Sequence, residues 1–210
     1  MRLFVPALAA VLFLTGSALA EAPLTLAPVE APTETPAAAP EAPPPEVPPL
    51  TRAEQLDELF ASLKTATDPA EAKVAEGGIV KLWLESGSDT VDLLMSWSMA
   101  AMESKDYATA LDFLDQVLIL KPDFAEGWNK RATVYFLLDD YGKSIADIER
   151  TLRLEPRHFA ALSGLGAILS DLGESQQAID AYRRALELDP HMDKVKEALD
   201  KLEKETGRDI

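Results

Sequence analysis

Few side chains in this chain are equipped for catalysis, and their surroundings give them little to work with. His158 and His191 each stand just after a proline, Pro156 and Pro190, with no Cys, second His or paired carboxylate at metal-ligand spacing. Both read as structural or solvated, so no metal site is predicted. Asp139-Asp140 could serve as a carboxylate pair in acid–base chemistry, but it falls in a turn between two predicted helices and reads as solvated. The chain carries no G-x-S-x-G, no Walker-type glycine loop and no H-E-x-x-H. It has no cysteine, which excludes thiol chemistry, a disulfide framework and lipid attachment at a cysteine. The expectation is a protein that is not an enzyme and uses no cofactor, and whose chemistry lies in binding.

The elements that would carry such a surface follow from the spacing of Pro122, Pro156 and Pro190, 34 residues apart. Leu118, Leu152 and Leu186 keep that register, as do Leu120, Leu154 and Leu188. Small or short side chains coincide at Ala110, Ser144 and Ala178 and at Val117, Thr151 and Ala185, where two helices must approach closely. Within the last unit, Leu162, Leu165 and Leu169 recur every three or four residues, which is one face of a helix. Gly173 breaks it. A second period, Ala178, Ile179, Tyr182, Ala185 and Leu186, builds a partner helix, and Pro190 stops that one because proline has no amide donor. A self-similarity of this length signals stacked helix pairs, and such arrays need about three units before they are stable.

The residues in register resemble the tetratricopeptide repeat family. The unit ending at Pro190 matches with Leu162, Leu165, Gly166 and Leu169 on a first helix and Ala178, Tyr182, Ala185 and Pro190 on a second. The middle unit keeps Trp128, Ala132, Tyr135, Leu152 and Pro156 but has Arg131 where the family prefers Leu, a change expected to weaken one helix contact. The first keeps Ala110 and Pro122 and carries Trp97-Ser98 at the Leu-Gly pair. The wording of residues 125–159 also resembles small exported repeat proteins of alphaproteobacteria. The resemblance implies an all-α fold, a right-handed superhelix of stacked antiparallel helix pairs: three units at 91–124, 125–158 and 159–191. Eight or nine helices and no strands are expected.

Two flanking segments are expected to close the array. Residues 51–90 hold two more helices, each announced by a capping box, Thr51-Arg52-Ala53-Glu54 and Asp68-Pro69-Ala70-Glu71, and read as an atypical N-terminal hairpin cap. Residues 192–210 hold a capping helix with a narrow stripe of Val195, Leu199 and Leu202 among charged residues.

In tetratricopeptide proteins the first helices of successive units line a concave groove. By resemblance the groove positions here are Met95, Met99 and Met102, then Asn129, Lys130, Thr133 and Phe136, with the small Ser163, Ala167 and Ser170 in the last unit. Thioethers and an aromatic ring suit a peptide or an amphipathic helix. The alternative for the methionines is that they pack against the N-terminal hairpin. Family members that grip a chaperone's C-terminal carboxylate use Lys and Asn on successive first helices. Here Met95, Met99, Ala160 and Gly164 stand at those positions and Asn129 alone matches.

The N-terminal residues point to export. Arg2, an apolar run from Leu3 to Leu14 and then Ala18-Leu19-Ala20 have the three parts of a secretory signal peptide over 1–20, with cleavage before Glu21. The run is shorter than the roughly 20 residues a spanning helix needs. Residues 21–50 hold ten prolines, five glutamates and no Lys or Arg, a composition that predicts a disordered linker, extending on the order of 90 Å at about 3.1 Å per residue. A passive spacer is the first reading and a proline-motif ligand the second.

From Thr51 onwards 19 Lys and Arg stand against 31 Asp and Glu, which opposes binding to nucleic acid. The expected partner is a protein or peptide of the cell envelope, met in the periplasm or outside the cell. The competing expectation is a self-associating scaffold without a groove ligand.

Overall fold

The computed structural model describes residues 49–207, so the predicted signal peptide at 1–20 and all but the end of the proline-rich segment lie outside the described residues. Nine helices make up the described part: α1 (Arg52–Thr65), α2 (Pro69–Leu84), α3 (Asp89–Glu103), α4 (Tyr107–Leu120), α5 (Ala125–Leu137), α6 (Tyr141–Leu154), α7 (Phe159–Asp171), α8 (Ser175–Leu188) and α9 (Asp193–Thr206). Helices α3–α4, α5–α6 and α7–α8 pair within their units, α4 packs on α5, α6 on α7, and α9 closes against α8.

The 34-residue period is visible in the backbone as well as in the side chains. Each pair turns through one left-handed residue, Lys105 (φ 61°), Asp139 (φ 58°) and Gly173 (φ 78°), and only the third unit uses the residue type that accepts this without strain. In the first two units the next residue is an aspartate, Asp106 or Asp140. Its carboxylate accepts the backbone N–H of Thr109 or Lys143 and so caps the second helix.

Side-chain volumes are matched across each pair. Gly166 lies under the ring of Tyr182, whose Cδ1 would stand 2.5 Å from any Cβ added there. At the same register the middle unit has Ala132 against Ile148 in one buried cluster, and the first has buried Ser98 and Leu114. Arg131, the departure from the family pattern, does not loosen the array. It forms a two-pronged bridge to Asp147 of α6 (2.7 and 2.8 Å) and reaches Asp115 of α4 at 2.7 Å, tying three helices together. Asp147 holds its guanidinium firmly in the charged form.

The N-terminal hairpin departs from expectation. It was predicted to close one end of the array, yet its apolar face, Leu56, Leu63, Ala72, Ala75, Ile79 and Trp83, buries against Phe159, with Leu188 and Met192 alongside. The hairpin thus lies along the turns that join successive units. Arg157 pairs with Asp57 and sits over the Phe60 ring, and His191 Nε2 bonds the Leu63 carbonyl at 3.2 Å. The chain doubles back through Gly87, a left-handed residue (φ 79°), in a turn where the Ser86 N–H donates to Asp92. Of the two predicted capping boxes, the one at Thr51 and Glu54 forms. At Asp68 the carboxylate accepts from Ala70, and Glu71 does not return the bond, since its own negative charge would sit beside that of Asp68.

Candidate binding surface

A cleft of about 110 Å³ opens between α5, α6 and α7, lined by Asn129, Thr133 and Phe136 from α5, Ile148 from α6, and Ala160 and Gly164 from α7. Three of the predicted groove residues therefore come together. Thr133 is exposed, and its hydroxyl donates to the Asn129 carbonyl at 2.9 Å. Phe136 is half-buried and stacks on Tyr141, with ring centroids 5.9 Å apart. Ala160 and Gly164 leave the opposite wall low. A Cβ built on Gly164 meets only Ile148 Cδ1, at 3.8 Å, so the cleft owes its room to that missing side chain.

The methionines are elsewhere. Met95 is 1% exposed, in a cluster with Val91, Leu114 and Val134, and belongs to the core rather than to a groove. Met102 packs half-buried on the same cluster, and Met99 is half-buried without lining the cleft. Leu84, at the end of α2, also packs on that cluster, so the hairpin takes part in covering the first unit's share of the predicted groove.

Asn129 and Lys130 are committed to Glu126, a carboxylate on the first turn of α5 that sequence reading passed over. Glu126 is buried and receives the His158 Nε2–H (2.8 Å), the Lys130 ammonium (3.0 Å) and the Asn129 amide (3.2 Å). Burial alone would raise its pKa. His158 and Lys130 outweigh that and hold it below the ordinary glutamate value. His158 Nδ1 accepts the Ala161 N–H at 3.2 Å and caps α7, which leaves the proton on Nε2, and Trp83 stacks on the ring with centroids 4.1 Å apart. The structural reading of His158 is what its bonds display. The Glu126–His158–Trp83 arrangement carries no local sequence signal, because its three members come from separate parts of the chain.

Tetratricopeptide repeat profiles match residues 125–158 and 159–192. A TPR repeat-containing protein of Rhizobium etli is 48% identical over 137 residues, 65% of this chain and 67% of that relative. The chain belongs to the tetratricopeptide repeat family. It also matches the small glutamine-rich tetratricopeptide repeat-containing protein 2 of Saccharomyces cerevisiae, 27% identical over 105 residues, which is 50% of this chain and 30% of that relative's length. Among solved structures, the Sgt2 TPR domain of Aspergillus fumigatus superposes with a TM-score of 0.54 at 26% identity, covering 57% of this chain and 81% of that one. The first TPR of Spaghetti (RPAP3), bound to the HSP90 peptide SRMEEVD, gives 0.55 at 22% identity over 57% and 95% of the two chains, a likeness of fold.

Proposed function

We propose that this chain is an exported adaptor, without catalytic activity, that holds an extended segment or helix of another envelope protein against α5 and α7. The observation that carries this is the cleft at Thr133, Phe136 and Gly164, an apolar notch with room for one aliphatic side chain beside the exposed Thr133 and the half-buried Phe136 ring. RPAP3 with its HSP90 peptide shows this fold holding a peptide, and the same use is proposed here. A C-terminal carboxylate is a poor ligand for this version of the surface. Asn129 and Lys130 already serve Glu126, and Ala160 and Gly164 offer no charge.

Three of the four residues considered for chemistry are employed in holding the fold. His158 and Asp140 cap helices, and His191 binds the hairpin. Export rests on Arg2, the run Leu3–Leu14 and Ala18-Leu19-Ala20.

Phe136 is a poor residue to probe first, since it also packs on the cluster of Ala132 and Ile148. Gly164→Leu fills the notch from a position where a Cβ meets Ile148 Cδ1 alone, at an ordinary 3.8 Å, and suits a helix. In affinity capture from an envelope extract, with the full chain as bait, a discrete partner is expected on the wild type. It should be lost from Gly164→Leu, at a cost of about 2 kcal/mol or more, with the helical circular dichroism unchanged. The same partner held equally by a folded Gly164→Leu protein sinks the reading.

A further inference from the structure

The first helices of the three units present the same register positions to whatever precedes them in the array, and among the described residues only one goes uncovered. On α5, Gly127 and Val134 are buried under α4, and on α7, Ala161 and Ile168 are buried under α6. The approach is close. A Cβ added at Gly127 would stand 2.9 Å from Val117 of α4. The equivalents on α3 are Leu93 and Ala100, and between them Trp97 stands where Arg131 and Leu165 stand in the other units. Leu93 and Trp97 are each 48% exposed, and Ala100 is exposed too. With the hairpin laid along the turns, this end is an open hollow of about 530 Å³ lined by Trp97, Ala100, Ser104, Asp106, Thr109 and Phe113. Trp97 and Phe113 pack together at 5.5 Å and form its apolar floor.

The border of the hollow has one sign. Asp89 and Glu103 lie a turn either side of Leu93 and Ala100 on α3, and Asp106, the N-cap of α4, and Asp112 on α4 flank the floor. None of the four pairs with a cation among the described residues. Lys105 is the one base on this stretch of border. A second copy docked face to face would set acid against acid. The chain's own residues 21–48, with five glutamates and no Lys or Arg, bring the same sign. The geometry points to a different occupant: a basic amphipathic helix of another protein, lying on α3 as α4 lies on α5. It would present aliphatic side chains to Leu93 and Trp97, and Lys or Arg to the four carboxylates.

The probe is a Leu/Lys amphipathic helical peptide of about 14 residues, with a Leu/Glu peptide of equal length as counterpart, titrated against the full chain at about 0.15 M salt. Saturable binding of one Leu/Lys peptide per chain is expected, with none of the Leu/Glu peptide. Trp97→Glu should weaken binding at least about tenfold, although it makes the border more acidic, so the loss reads the apolar floor and not the charge. Leu93→Gln serves as a second, milder variant should Trp97→Glu lose helical signal. Gly164→Leu should leave peptide binding unchanged, which keeps this site separate from the α5–α7 cleft. Undiminished binding by both α3 variants overturns the proposal, as does equal binding of the Leu/Glu peptide. Light scattering that shows a dimer broken by Trp97→Glu also overturns it and assigns the face to a second copy.

Discussion

Arg131 of α5 and Leu165 of α7 occupy the same register 34 residues apart, and so do Asp147 and Ala181 on the second helices. One unit places a bidentate ion pair, extended to Asp115, where the other places an aliphatic and a methyl. The position one residue on varies in the same manner: Ala132 with Ile148 in the second unit, Gly166 with Tyr182 in the third. Two adjacent units therefore keep zero net charge across each facing pair while exchanging the side chains that make the contact. A departure from the repeat pattern on one helix is informative only when read with the residue facing it.

The largest expected effect breaks that compensation in the second unit. Arg131→Leu restores the family's preferred residue yet leaves Asp147 buried without its partner, and should lower stability by about 3 kcal/mol in urea denaturation. Adding Asp147→Ala, which copies the third unit in full, should bring it back to within about 1 kcal/mol of the wild type. If the single variant is as stable as the double, the pairing is not what holds these helices.

A smaller effect is expected in the third unit. Gly166→Ala drives a methyl into the Tyr182 ring and should cost about 2 kcal/mol, whereas Gly164→Ala, two residues away and in ordinary contact with Ile148 alone, should be neutral or slightly stabilising. The smallest concerns the turns. Lys105→Gly removes the strain that Gly173 avoids at the equivalent place and should raise stability by about 0.5 kcal/mol, while Gly173→Ala lowers it.

The array itself was readable from the prolines and leucines, because each unit's contacts are made with its neighbours and so repeat with the sequence. The turns at Asp139-Asp140 and Gly173 were readable for the same reason. What the period could not reveal was any contact between distant, non-repeating parts. Met95 stands 34 residues before Asn129, so register alone assigns both to a groove. Leu84 of α2 joins the cluster that buries Met95, and Glu126 turns Asn129 inward. Gly164 was noted only as a missing carboxylate-gripping residue, because the room it gives the cleft is an absence of atoms. Trp83, His158 and Glu126 meet only after the hairpin has doubled back, and nothing in their local sequence announces it.

The hairpin's position also bears on how the chain unfolds. An open solenoid frays from its ends, since each unit answers only to the next. Here Asp57 and Arg157 are joined across 100 residues, and Leu63 and His191 across 128, so the first helices cannot leave without releasing the turns before α7 and α9. Closing such long loops slows folding, and it couples the ends of the array into one cooperative transition.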